Sequence, residues 1–356
     1  MPRPSTHIFR LLKWGRTLAR HGALRGIERD PNTPLPVKRL ARLARFGTFQ
    51  PEVPDYAGAF KDIGPAAIKL GQTLATRPDL VGEEAANNLL TLQDSLPPVP
   101  FREIEASITA TFDRPLSELF QSIDPEPVGA ASIAQVHRAV TSDGRQVAVK
   151  VLRPGIRERF ASDIDTYEWA AAHLEALGSD EARRLRPRLT IANFKRWTNR
   201  ELDLRREAAS ASELAEMMKG FAGYRVPAVD WDRTNGRVMT IEWIDGIKIS
   251  RVEELTAKGH DLPALAERLV LAFLTQAIAG GYFHADMHQG NLFVEDDGTI
   301  VAIDFGIMGR IDRRARMWLA EILYGLTTGN YRRVAEIHFE AQYVPSYHSV
   351  EEFATA

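Results

Sequence analysis

The 356-residue chain contains no cysteine. That absence excludes disulfide stapling, thiolate catalysis and cysteine-ligated zinc together. Long apolar runs are also missing. The longest charge-free stretch of helical character, 269–283, holds Thr275, Gln276, Gly280 and Gly281. It falls short of the roughly 20 apolar residues a bilayer span needs and reads as a buried core helix. No secretory leader is legible, because Arg3, Arg10, Lys13, Arg16 and Arg20 interrupt the first twenty residues. The formal net charge is only −2, which gives no general case for nucleic acid.

What is present is a globular composition, 44% hydrophobic and 26% charged, of a length that suits two lobes or two domains. The charge is unevenly placed. Residues 1–50 carry eleven Lys and Arg against Glu28 and Asp30, whereas the remainder is acidic. A basic head of this kind suits an anionic surface such as a membrane face. Within it, Ile8, Leu11, Leu12 and Leu18 form a helical stripe over 6–25, either an interfacial helix or a helix docked on its own domain. Pro31, Pro34 and Pro36 then mark a linker.

From 55 to 95 the pattern is helical. A second helix runs over 102–111, and a short acidic helix ends near Asp124-Pro125. The period then changes. Residues 133–140 read as a strand, Asp143-Gly144 as a hairpin turn, and 146–151 as the return strand. Helices are expected over 158–178 and 188–220, a strand over 236–243, helix over 250–283, a strand pair around Asp297-Gly298, and helix over 312–340. A small β lobe followed by a helical lobe is an α+β plan.

Chemistry concentrates in the run His284-Ala285-Asp286-Met287-His288-Gln289-Gly290-Asn291 and in Asp304-Phe305-Gly306. A kinase-type phosphoryl-transfer site uses an Asp on a loop, an Asn five residues later, and a second Asp after a strand. Asp286 and Asn291 have that spacing, and the apolar run 300–303 delivers Asp304. Oxygen donors of this type suit magnesium. Upstream, Val147-Ala148-Val149-Lys150 puts a lysine on the return strand, where a kinase holds its α- and β-phosphates. Helix 188–220 offers Glu201, Asp203, Glu207 and Glu213 as carboxylate partners. Residues 238–246, with Glu242 and Ile244, read as a strand leaving the small lobe through a connector that could bond an adenine edge. One element departs from ordinary kinases. The phosphate-covering segment is Val128-Gly129-Ala130-Ala131-Ser132-Ile133-Ala134-Gln135, alanine-rich where glycines are usual, so Cβ atoms narrow the space for a triphosphate.

These motifs together resemble the UbiB/AarF family of atypical kinase-like proteins of ubiquinone biosynthesis. The marks are Lys69-Leu70-Gly71-Gln72, Ala130-Ala131-Ser132, Glu201-Leu202-Asp203 and the His284–Asn291 loop, over roughly 55–310. The resemblance implies a bilobal protein-kinase-like fold with a helical N-terminal extension that binds ATP or ADP with magnesium. It implies Lys150 as the nucleotide lysine with Glu207 as its partner, Asp286 as the catalytic acceptor, and Asn291 and Asp304 as metal ligands. Lys69 and Gln72 would lie in an extension that meets Glu201 and Asp203. Gly129 stands where many members have alanine, and Met287 and Gln289 replace common prolines. The expected segments are a basic head over 1–50, the extension over 51–125, an N-lobe over 126–247 and a C-lobe over 248–356.

The implied role is an ATPase or kinase supporting ubiquinone biosynthesis at the cytoplasmic face of a bacterial inner membrane. Its partners would be anionic lipid, a quinone-precursor lipid and a biosynthetic complex. Segments beyond Ala356 would supply an anchor, so the C-lobe reads as incomplete. Two further readings stand beside it: a phosphotransferase for small alcohols or sugars, and a non-catalytic nucleotide-gated scaffold.

Overall fold

The computed structural model describes residues 4–26, 33, 35–48, 51–92, 96–176, 178 and 186–355. The chain divides into two compact units, 1–144 with 149–203, and 145–148 with 204–356. This division follows packing and cuts across the motif-based segments.

The first unit opens with α1 (Pro4–Arg20) and α2 (Leu35–Arg45), then α3 (Tyr56–Ile63), α4 (Pro65–Ala75), α5 (Pro78–Val81) and α6 (Glu83–Leu89). Helix α1 is a docked helix. The Trp14 ring meets Tyr167 at 5.0 Å, and His7 Nδ1 lies 3.2 Å from the Thr166 hydroxyl. Helix α2 was hidden from sequence by its proline. Pro36 occupies the first turn, where the missing N–H has no intrahelical acceptor to lose, so the expected linker is partly helix. Pro31 and Pro34 lie outside the described residues.

Asp55 caps α3 by accepting from the Gly58 N–H at 2.8 Å. Gly64, at φ 126°, then turns the chain so that Pro65 can start α4. Ala57, Ile68, Ala75, Leu89 and Leu92 bury against one another, with Phe60 and Leu74 packed around them. Packing is tight at Gly71, where a Cβ would stand 2.5 Å from Leu92 and 2.7 Å from Phe60. The glycine between Lys69 and Gln72 is therefore a packing residue.

After α7 (Phe101–Phe112) and α8 (Leu116–Leu119) comes β1 (Phe120–Ile123), not the end of an acidic helix. Phe120 is buried and pairs with Thr141, so tertiary strand pairing overrides the local helical signal. Strand β2 (Gly129–Ala130) and β1 both pair antiparallel with β3 (Ala134–Thr141). Gly144, at φ 88°, makes the expected turn into β4 (Gln146–Leu152). Val147, Val149 and Val151 on β4 are buried. Helices α9 (Ile156–Ala176) and α10 (Pro187–Glu201) complete the unit. The expected 188–220 helix breaks after Glu201, where Arg157 captures the Leu202 carbonyl at 2.9 and 2.6 Å.

The second unit contains α11 (Leu204–Met217), β5 (Tyr224–Arg225), β6 (Val238–Glu242), β7 (Ile247–Lys248), α12 (Val252–Ala257) and α13 (Leu262–Leu274). A π-helical turn, Thr275–Gly280, extends α13 into β8 (Tyr282–His284). The resulting helix, Leu262–Gly280, is long and apolar enough to cross a membrane by length and composition, and 22% of it is buried. Val270 and Leu271 are exposed, so the expectation of a buried core helix fails here. Strands β9 (Leu292–Val294) and β10 (Ile300–Ala302) form an antiparallel hairpin flanked by β5 and β7, and β11 (Met308–Arg310) pairs with β8. Helices α14 (Arg313–Thr328), α15 (Tyr331–Glu340) and α16 (Val350–Thr355) follow. Gly329, at φ 72°, and the Asn330 cap divide what sequence reads as one helix over 312–340.

Replacing Gly71 by alanine should overpack the α3–α4 contact and destabilise the chain by about 1–3 kcal/mol. The check is the urea midpoint of Gly71→Ala set beside Gly129→Ala, whose Cβ would meet nothing within 4 Å and should leave the midpoint in place.

Candidate functional site

In the second unit the loop after β8 and the end of the β9–β10 hairpin are built as one piece. The β9–β10 register sets Ala302 opposite Leu292. One step further, Ile303 N–H donates to the Asn291 carbonyl at 3.0 Å. Asn291 and Asp304 are thereby held at the same hairpin end. Asn291 also ties back to the loop. Its Nδ2 donates to the Asp286 carbonyl at 3.2 Å and its backbone N–H to the His288 carbonyl at 2.9 Å. The structure thus brings together Asp286, Asn291 and Asp304 through main-chain bonds and the Asn291 side-chain amide.

His284 is the buried pivot of this loop. Its backbone N–H donates to Gln276 Oε1 at 3.1 Å, and its ring Nδ1 accepts from the Asp286 N–H at 3.2 Å. An accepting Nδ1 places the ring proton on Nε2. Burial lowers the pKa of His284, with the Asp304 backbone and carboxylate and then Asp286 opposing. The ring packs on the buried Phe305 at 5.7 Å. His288 Nδ1 accepts from the Gly290 N–H at 3.0 Å, and its Nε2 lies 3.8 Å from Asp286. Asp304 Oδ1 accepts from the Gly306 N–H at 3.0 Å, shaping the turn that leaves the site. The side chains of Asp286 and His288 are both exposed.

Oxygen donors from Asp304 and the Asn291 amide fit a hard cation. Spending Nδ2 on the Asp286 carbonyl leaves Oδ1 as the outward atom. Among the described residues no three His, Cys, Asp or Glu side chains cluster as a metal site.

The remaining expected nucleotide residues divide between the units. Glu207 lies on α11, buried, in the second unit, and Lys150 lies half-buried on β4, in the first. Glu242 takes a different part from the one its connector position suggested. Arg225 holds both its carboxylate oxygens, at 2.9 and 3.0 Å, and reaches Glu295 at 2.8 and 2.6 Å. Ile244 is half-buried beyond it.

In the first unit, Val128 is exposed and its N–H donates to the Val136 carbonyl, Gly129 and Ala130 form β2, and Ala131 N–H turns back to the Ala134 carbonyl at 2.8 Å. Ser132 is fully buried. Gln135 is also buried. Its Oε1 accepts from the Val99 N–H at 2.9 Å and its Nε2 reaches the Val99 carbonyl at 3.3 Å. Arg153 grips the same region, donating to the carbonyls of Ala131, Pro97 and Leu96 at 2.9, 2.9 and 3.1 Å. The alanine loop is therefore stitched to the 96–99 strap. Sequence reasoning missed Arg153 and Arg225, whose partners lie 17 to 70 residues away with no local signature.

The extension and triplet motifs meet within this unit. Lys69 Nζ lies 3.4 Å from Glu201 Oε1, both partly buried. Gln72 Nε2 donates to the Leu92 carbonyl at 3.4 Å. Asp203 follows the α10 terminus, half-buried.

Residues 91–338 match the ABC1 atypical kinase-like domain. A protein of Marinobacter nauticus named probable protein kinase UbiB is 39% identical over 302 residues, covering 84% of this chain and 55% of the relative. Its namesake in Pseudomonas fluorescens is 37% identical over 330 residues, covering 92% and 59%. The chain thus spans a little over half the length of these curated relatives. Among solved structures, the Rv3197–erythromycin complex from Mycobacterium tuberculosis superposes with a TM-score of 0.54 at 26% identity, over 78% of this chain and 69% of that one.

Burial also governs a histidine beside the alanine loop. His137 is fully buried, with Nδ1 at 2.7 Å from the Asp124 carbonyl and Nε2 at 2.8 Å from Gln135 Nε2. Nδ1 donates and Nε2 accepts, so a second proton would face the Gln135 amide N–H. Burial lowers its pKa below 6.5, against the Asp124 carbonyl. The unfolded chain therefore takes up a proton that the folded chain refuses, and stability falls as pH drops below about 6.5. The slope of urea midpoint against pH between 7 and 5 should be shallower in His137→Gln than in the wild type.

Proposed function

The chain belongs to the ABC1 atypical kinase-like family, and we propose that it binds a magnesium nucleotide, ATP or ADP, and uses it in support of ubiquinone biosynthesis at a membrane. The observation that carries the nucleotide reading is the joint fixation of Asp286, Asn291 and Asp304 at one hairpin end. The relatives' name and the kinase-like fold support it.

Asn291 Oδ1 and Asp304 would hold magnesium, and Lys150 would hold the phosphates. Bound magnesium supplies neutralisation of charge on the polyphosphate. Asp286 is exposed and lies on a loop fixed by His284, so it can accept a hydrogen bond from a hydroxyl or water and orient it. His284, held neutral by burial, positions the Asp286 backbone and takes no proton itself. Ala130 and Ala131 would narrow the approach to the phosphates, and Gly129 leaves the edge of the loop open. The basic first fifty residues and the exposed apolar face of Leu262–Gly280 support residence at an anionic membrane, and the family resemblance suggests the cytoplasmic side of a bacterial inner membrane.

Fluorescent ADP binding and phosphate release, with and without magnesium, separate the roles. Asp304→Asn should lose magnesium-dependent binding by about tenfold or more. Asp286→Asn should bind nucleotide normally yet release phosphate at least about a hundredfold more slowly. Equal phosphate release in wild type and both variants would leave only a nucleotide-gated scaffold, and turnover of a small alcohol or sugar would favour the phosphotransferase instead.

A further inference from the structure

Two cavities of the first unit share a wall. One encloses about 270 Å³ behind α2 and is lined almost wholly by apolar side chains, among them Leu12, Leu18, Leu40, Phe60 and Leu70. The other, of about 400 Å³, lies between α1 and α9 and carries Arg10, Lys13 and Arg159 with Asp163. Trp14 and Ile63 line both. Together their space falls within the usual range of about 300–1,000 Å³ for small-molecule sites.

The chemistry of the two halves is opposite, and the cationic half retains capacity. Arg10 is engaged with Ser162 and Thr166 and pairs with Asp163 at 3.7 Å, and Arg159 donates to the Ile63 carbonyl at 3.2 Å. The Lys13 ammonium has no hydrogen-bond or ion-pair partner among the described residues. Three cations against one carboxylate favour an anion, and an indole at the junction suits the boundary between a polar head and an apolar chain.

Helix α2 gives the reason to expect a lipid. Leu40 lines the apolar cavity, and on the same helix Leu35, Leu43 and the adjoining Phe46 are exposed among Arg39, Arg42 and Arg45 with no acidic residue. An amphipathic helix of this composition is built for an anionic lipid interface.

We propose that the first unit binds one anionic amphiphile, a phosphate-bearing lipid whose head lies against Lys13, Arg10 and Arg159 and whose chain fills the apolar cavity behind α2. This site is independent of the nucleotide reading, since it uses no residue assigned there.

The probe is dodecyl phosphate below its micelle concentration, titrated calorimetrically into the full chain beside hexyl phosphate, dodecyl maltoside and inorganic phosphate. Dodecyl phosphate should bind about tenfold or more tightly than each of the other three. Lys13→Glu should remove that advantage over dodecyl maltoside, and because Lys13 is exposed the fold should survive the change; the chain-length series tests the tail without any substitution. Equal affinity for dodecyl phosphate and inorganic phosphate would overturn the proposal in favour of a free-anion site. Parity with dodecyl maltoside would mean that the head is not read. Binding that emerges only with micelles or vesicles would mean adsorption of α2 to a surface, and would equally sink it.

Discussion

A main-chain hydrogen bond from Ile303 to the Asn291 carbonyl closes the β9–β10 hairpin, and it fixes side chains that the sequence separates by thirteen positions. Everything chemical in the second unit depends on that closure holding its register. Leu292 and Val294 are buried while Phe293 between them is half-buried, so a slip of β9 by one residue would turn its buried side chains outward and shift Asn291 against Asp304. Register is costly to lose here because β5 pairs parallel on the far side of β10 while β7 pairs with β9. The Asp286 loop then hangs from the same frame through Asn291 Nδ2 and through the His284 ring. A polar constellation is held by an apolar hairpin, and its own side chains contribute few of the bonds that position it.

Much of this was legible in sequence, for reasons that can be named. The Asp143-Gly144 and Asp297-Gly298 turns each need positive φ, which Gly144 and Gly298 adopt at 88° and 83°, so both hairpins announce themselves locally. The five-residue step from Asp286 to Asn291 is likewise a local property of one loop. The illegible parts are those decided by distant partners. Phe120–Ile123 becomes a strand only because β3 offers an edge. Helix α2 is masked by Pro36, a helix breaker everywhere except in the turn where it sits. Glu242 looks like a connector residue and is instead half of a clamp, because Arg225 comes from seventeen residues upstream. Gln135, expected near phosphate, spends its amide on Val99, a pairing that no periodicity reveals.

His284 and His137 show one device used twice. Each ring is buried, and each has its tautomer set by a neighbour that offers an N–H to one nitrogen. At His137 the neutral imidazole links two segments, Nδ1 donating to the Asp124 carbonyl and Nε2 accepting from the Gln135 amide, while His284 uses Nδ1 to hold the Asp286 N–H. In both places the connector sits at the base of a loop assigned to nucleotide, which places the cost of protonation beneath the loops.

The absence of cysteine is answered elsewhere in the fold by arginine. Chain reversals that a disulfide could have pinned are held by guanidinium groups on main-chain carbonyls. Arg159 takes Ile63 at the end of α3, and Arg157 takes Leu202 at the end of α10. Arg316 takes Ile278 and Ala279 in the π-helical turn, and Arg153 takes three carbonyls around the alanine loop. Three of the four act where a helix runs out of N–H donors for its last carbonyls, so each supplies bonds that the backbone cannot. A planar fork with several N–H groups can serve two or three such oxygens at once. A lysine ammonium on its flexible stem lacks that planar fork, so Arg153 and Arg316, which each hold more than one carbonyl, use a geometry that lysine does not offer. Such clamps need no oxidising compartment, and they leave the loops they hold free of covalent constraint.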